Sequence, residues 1–168
     1  DAVMHLHSSQ FCMRAKRMSD QRLEITISPI EHESPAYWQA VALRQLVLRK
    51  PLGLSLTQHE LHAEDDQLHL AAIAGETVVA TLCIIWMDDH ARIRQMAVDT
   101  EWQGNGIGTA MLHAAEILIR DRGFNTIELH ARTAAQRFYE KQGYHVASNE
   151  FTEVTLPHRT MKKVFTEE

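Results

Sequence analysis

Gln103-Gly104-Asn105-Gly106-Ile107-Gly108 stands between a short run, Ala91–Val98, and a long amphipathic segment, residues 106–122, that stops at Gly123. The run reads as a strand and the segment as a helix. Glycines between them let backbone N–H groups approach a ligand without Cβ interference. The first helical turn adds unpaired N–H donors and the positive end of the helix dipole. That combination binds phosphate or pyrophosphate, and Gln103 can add a side-chain donor. Gly104, Gly106 and Gly108 do not have the G-x-G-x-x-G dinucleotide spacing, and no lysine makes a P-loop.

Upstream of the loop, residues 23–28 alternate apolar and polar and read as a first strand. Ser34 and Pro35 resemble an N-cap and first helical position; Trp38, Val41, Ala42, Leu46 and Val47 then fall near one face, and Pro51 and Gly53 end the helix. Residues 57–64 suggest a short helix. Residues 68–74 and 77–86 read as a hairpin turning at Gly75. Asp88, Asp89 and His90 turn the chain into Ala91–Val98. Downstream, residues 126–131 read as a strand and 133–142 as a helix stopped by Gly143; residues 144–154 and 158–165 read as a last strand pair. Strand, long helix, strand implies a right-handed parallel crossover, so the sheet is expected to be mixed.

The chain has 168 residues, which implies one domain with a substantial core. Net charge is −5 and no long basic run occurs, which argues against nucleic acid as a partner. Cys12 and Cys83 are the two cysteines, too few for a secreted disulfide framework, and a reducing cytoplasm is the expected compartment. No apolar run approaches the ~20 residues of a membrane span. Residues 1–17 match no pattern and precede Met18, so they are set aside as an upstream or added extension, leaving one domain over 18–168.

Val98, Gln103, Gly106 and Gly108 fall at the spacing of Gln/Arg-x-x-Gly-x-Gly/Ala, the acyl-CoA motif of the GNAT superfamily of N-acetyltransferases. Ala135, Phe138, Tyr139, Lys141, Gly143 and Tyr144 resemble that family's A-x-x-F-Y-x-K-x-G-F/Y signature. Phe151, Glu153, Pro157, His158 and Met161 resemble F-x-E-x-x-x-P-H-x-x-M of a branch of small bacterial members. The resemblance covers roughly residues 20–166. It implies a mixed α/β fold: a central, mostly antiparallel sheet with one splayed parallel strand pair, flanked by helices.

The resemblance also implies a reaction. Pantetheine of acetyl-CoA, the cosubstrate, would pair as a pseudo-strand with the backbone of Met96, Ala97 and Val98. The loop from Gln103 through Gly104, Asn105, Gly106, Ile107 and Gly108 to Thr109 would hold the pyrophosphate. Arg132, Ala135, Phe138 and Tyr139 would complete the coenzyme site. A strand-end N–H would polarise the thioester carbonyl. Tyr139 matches the tyrosine that protonates the leaving thiolate, and a phenol with pKa ~10 is protonated at neutral pH. Many members carry a glutamate on the strand before the glycine loop. Here Arg92, Arg94 and Gln95 stand there and Ala91–Val98 holds no carboxylate. His130, His158 and Glu153 remain as candidate bases, beside a water chain with no single base.

The expected partners are acyl-CoA and a small-molecule amine acceptor, in a monomer or homodimer. Protein or peptide acetylation and a non-catalytic acyl-CoA sensor are the alternatives. Arg44 and Arg49 are candidates to hold an acceptor carboxylate or phosphate, and Arg132 and Arg137 to contact coenzyme phosphate or acceptor. His59 and His62 sit three apart beside Glu60 and Glu64, but no H-E-x-x-H or Cys/His cluster occurs, so no metal is expected.

Overall fold

A computed structural model describes residues 10–18 and 21–166. Among the described residues, nine strands form one sheet in the order β1-β2-β3-β4-β5-β6-β9-β7, with β8 pairing β9. The strands are β1 (Phe11–Lys16), β2 (Arg22–Ile30), β3 (Leu68–Ala74), β4 (Thr77–Trp86), β5 (Ala91–Val98), β6 (Thr126–Arg132), β7 (His145–Val146), β8 (Phe151–Glu153) and β9 (Leu156–Val164). Every pairing is antiparallel except β5 with β6, the crossover made by helix α3 (Ile107–Asp121). Among the described residues no helix is long and apolar enough to cross a membrane.

Strand alternation puts successive side chains on opposite faces of the sheet. On one face Leu70, Leu82, Ile84, Ile93 and Ile127 pack against Ile107, Met111, Leu112 and Ile119 of α3. On the other, Ala71, Val78 and Ala97 pack against Ala40 and Leu43 of helix α1 (Pro35–Arg44).

Residues 1–17 are not all outside the fold. Phe11–Lys16 is an edge strand in register with β2, and Phe11 is 2 % exposed. Beyond it, Arg17 binds Glu101 through Nε at 2.9 Å, Met18 N donates to the Glu101 carbonyl at 3.1 Å, and Lys16 N donates to Asn105 Oδ1 at 3.3 Å. The segment therefore braces the glycine loop. Residues 1–9 lie outside the described residues.

The face expected for α1 is also corrected. Ser34 caps it and Pro35 opens it, but Tyr37, Ala40, Leu43 and Arg44 point inward, while Trp38 is 45 % and Leu46 55 % exposed. A phenol and a guanidinium occupy core-facing positions, so an apolar periodicity finds the wrong face. A π-helical turn, Gln45–Arg49, and a 3-10 turn, Lys50–Leu52, then shift the phase again. Helix α2 (Gln58–His62) starts on a capping box in which Thr57 and Glu60 bond each other's backbone. The helix expected over 133–142 begins as a 3-10 turn, Thr133–Ala135, and becomes α4 (Gln136–Lys141).

Candidate active site

β5 changes character halfway along. Thr81 faces Ala97 and Cys83 faces Arg94, so two steps along β4 match three along β5. The extra residue makes a bulge, and Gln95 there takes φ +56°. On the other edge, β5 pairs β6 only from Ala91–Ile127 to Ile93–Leu129. β6 continues with β9 to the Arg132–His158 pair, so the two parallel strands part beyond Ile93 and Leu129. Between them opens a cleft of about 450 Å³. Met96, Phe138 and Tyr139 line one side of it, and His130, Glu153 and His158 another.

The glycine loop closes the far end of β5. Gly104 and Gly106 have φ +81° and +78°, the left-handed region that side chains with a Cβ avoid. Gly106 is the N-cap of α3 and brings no side chain over its first N–H groups. A Cβ on Gly108 would lie 3.7 Å from Phe138 Cζ and 3.9 Å from a Val98 methyl, filling the gap between strand and α4. Ile107 is buried in the core. Asn105 Nδ2 donates to the Trp102 carbonyl at 3.0 Å and Gln103 Nε2 to the Val98 carbonyl at 3.2 Å. Thr109 Oγ1 accepts from Gln142 at 3.4 Å. Open N–H groups, a dipole end and a bare strand edge fit a pyrophosphate joined to an extended arm.

Tyr139 projects from α4 with its ring edge-on to Phe138 and Tyr144, 5.0 and 5.9 Å between centroids. Burial pushes its hydroxyl up to about 12. Its neighbour Tyr144 is core, and its hydroxyl has no hydrogen-bond partner among the described residues.

The histidines are held in distinct ways. His158, 5 % exposed, has Nδ1 at 2.8 Å from the Leu156 carbonyl. A carbonyl only accepts, so Nδ1 carries the proton and the neutral ring keeps its lone pair on Nε2, 3.8 Å from Glu153 Oε2. His130 has both nitrogens engaged: Nδ1 lies 3.0 Å from Glu153 Oε1, and Arg92 reaches Nδ1 at 2.6 Å and Nε2 at 3.1 Å. Burial alone would raise the Glu153 carboxyl. The hydrogen bond to His130 and the charge of Arg92, joined by those of His130 and His158 when their rings are protonated, outweigh it and hold the group below its ordinary value. Glu153 and His158 meet because β8 and β9 turn through Val154 and Thr155, at φ +49° and +65°. Such two-residue turns favour Asn and Gly, and branched side chains there are strained.

The arginines divide. Arg44 does not reach the acceptor side: it is 1 % exposed and grips Glu64 with two nitrogens at 2.8 and 2.6 Å. Arg49 lines the cleft and meets Glu60 at 3.3 Å. Arg132 reaches the Leu48 carbonyl at 3.2 Å, joining the end of β6 to the π-helical turn. Arg137 is exposed and outside the cleft lining. Ala135 lines the cleft.

Near the Arg44–Glu64 pair, one atom each of Glu64, His69 and Cys83 come within 4.8 Å of one another, a grouping that residue spacing does not reveal. The group is closed on itself. Arg44 takes both carboxylate oxygens, Tyr37 adds a bond at 3.0 Å, and His69 Nε2 meets the Glu64 carbonyl at 2.9 Å. Burial pushes the Cys83 thiol up to about 12, and its sulfur lies 3.3 Å from His69 Nδ1, in place to donate there. His59 and His62 are exposed on α2 and take no part.

The chain is similar to several known proteins. The chain is 30 % identical to a Lactobacillus plantarum protein assigned as an N-acetyltransferase, whose structure superposes with a TM-score of 0.73 over 83 % of this chain and 99 % of that one. It is 27 % identical over 125 residues to the uncharacterized N-acetyltransferase YjcF of Bacillus subtilis, spanning 74 % of this chain and 89 % of the other. A GNAT family acetyltransferase from Elizabethkingia anophelis, solved with acetyl-CoA bound, shares the fold at TM-score 0.66 and 14 % identity, over 84 % of this chain and 98 % of that one. The family model for the acetyltransferase (GNAT) domain matches residues 49–165, and the chain belongs to that family of acetyltransferases.

Proposed function

We propose that the chain transfers an acetyl group from acetyl-CoA to a primary amine of a small molecule, by direct attack within a ternary complex. The carrying observation is the parting of β5 from β6 beyond Ile93 and Leu129, with Tyr139 and His158 both on the walls of the cleft this opens. Acetyl-CoA in the Elizabethkingia relative supports the same cosubstrate here. The Gln103–Thr109 loop and the first turn of α3 hold the pyrophosphate, and the bare edge of Met96, Ala97 and Val98 pairs with the pantetheine.

The amine nitrogen attacks the thioester carbon, whose oxygen is polarised by a strand-edge N–H of β5. His158 Nε2, the unengaged lone pair of the two candidate histidines, takes the amine proton, and the imidazolium so formed faces the Glu153 carboxylate at 3.8 Å. The carbon–sulfur bond breaks, and Tyr139 gives its hydroxyl proton to the departing thiolate. Exchange with solvent returns one proton to Tyr139 and removes one from His158. His130, with both nitrogens engaged, orients Glu153 instead of acting as base.

The test is thiol release from acetyl-CoA against a panel of primary amines. The reading predicts equal amounts of free CoA and N-acetylated amine for at least one member. Binding of acetyl-CoA with no acetylated product from any amine would favour the sensor.

A further inference from the structure

Three arginines line the cleft, and two are spoken for: Arg49 meets Glu60 and Arg132 meets the Leu48 carbonyl. Arg94 lines the same cleft, is part-buried, and makes no hydrogen bond or ion pair among the described residues. It sits on β5 just before the bulge, directly opposite Cys83. That places it on the α1 side of the sheet, away from the α3 terminus that suits pyrophosphate. Arg92, two residues back and already on His130, is held below its ordinary value by burial and then by the charge of Arg94. A guanidinium withdrawn from water beside a like charge is costly unless an anion joins it.

We propose that the acceptor carries a carboxylate as well as its amine, and that Arg94 binds that carboxylate. The inference rests on the acetyl-transfer reading for the identity of the cleft. A planar guanidinium offers two parallel N–H bonds to a carboxylate, fixing orientation as well as position. With the carboxylate on Arg94, the amine end is directed toward His158 and Glu153 across the cleft. The acidic side suits an ammonium on arrival; the ammonium gives its first proton to solvent to become a neutral nucleophile, and His158 takes the second as the amide forms.

The experiment uses matched pairs: β-alanine, 4-aminobutyrate and L-lysine against ethylamine, propylamine and cadaverine, with the full chain. Two readouts are taken for wild type, Arg94→Ala and Arg94→Lys: kcat/KM with acetyl-CoA, and calorimetric binding of each amine to protein saturated with CoA, where no acetyl group is present to transfer. At least one amino carboxylate is expected to exceed its decarboxylated partner by about ten- to a hundred-fold. Arg94→Ala should erase that preference mainly through KM, and Arg94→Lys should restore part of it. Equal binding of the paired amines to wild type, or a preference that survives Arg94→Ala, overturns the proposal. Arg94-dependent binding without any acetylated product would uphold it and overturn the transfer reading instead, so the two fail separately.

Discussion

Arg44 Nε donates to Gln95 Oε1 at 3.0 Å, tying the buried ion pair beneath α1 to the residue that bulges β5. The same guanidinium grips Glu64 with its other two nitrogens, so one side chain links α1, the end of α2 and the strand edge proposed to meet the coenzyme. Arg44→Met would leave a carboxylate buried without its counter-ion and should cost about 3–5 kcal/mol, with Arg44→Met/Glu64→Met milder. Burial pushes the Glu64 carboxyl up, but the bonds and charge of Arg44 outweigh it and hold the group below its usual value. Its stabilisation is therefore present above the ordinary carboxylate range and is lost as pH falls through it. Denaturant unfolding from pH 7 to 3 checks this: wild type should lose stability on acidification and Glu64→Gln should show a smaller loss.

The edge strand makes a separate prediction. Phe11, Met13 and Ala15 are buried, and the strand's end bonds Asn105 and Glu101 beside the glycine loop. Phe11→Ala should cost about 3–5 kcal/mol. Deleting residues 1–17 should lower both Tm and CoA affinity. A truncated chain with wild-type melting and wild-type coenzyme binding would show that β1 contributes neither.

All three tyrosines of the sequence are pushed up by burial: Tyr139 to about 12, and Tyr37 and Tyr144 also upward, with the charges of Glu64 and Glu116 as further causes. An unfolded tyrosine ionises near ~10. A raised folded value means stability is intact below pH ~10 and falls as pH rises past it. Phenolate absorbance should then rise only together with loss of native circular dichroism. A phenolate titration near pH 10 on folded protein would contradict the burial of these rings.

Tyr139 and His158 carry the proposed proton transfers. Tyr139→Phe should lower kcat by about 10²–10⁴ while CoA affinity stays near wild type. Because its hydroxyl is held at about 12, Tyr139 should not set an alkaline limb below pH 11. His158→Ala should lower kcat and alter the acidic limb of the rate profile. An undiminished kcat in either variant removes that residue from the mechanism.

Much of this was legible in the residues, and the failures share a cause. The glycine loop, the parallel crossover and the β3–β4 hairpin announce themselves through glycine spacing and apolar periodicity, signals that are local. Tyr139, His130, Glu153 and His158 all line the one cleft, although His158 lies 28 positions after His130. What escaped depends on long-range partners. Arg44 reads as a candidate ligand for an acceptor anion because Glu64, its counter-ion, lies on another element. Gln95 carries no mark of positive φ, since bulging comes from strand register and not from residue type. Phe11–Lys16 lacks strong alternation and gains its place only by pairing with β2. Arg94 stands in the sequence only as a missing carboxylate; its lack of a partner among the described residues depends on how Arg49, Arg92 and Arg132 are engaged in three dimensions.

Acyl-CoA is proposed to lie on the loop at Gly104 to Gly108 and the bared edge of β5. Calorimetry of acetyl-CoA against wild type and Gly106→Val tests it most directly, with melting curves confirming that both chains fold. A branched residue at φ +78° is strained and crowds the first N–H groups of α3. One-to-one binding to wild type and a loss of affinity of at least tenfold in folded Gly106→Val are expected; no binding to wild type, or equal affinity in the two chains, would overturn coenzyme binding at this loop.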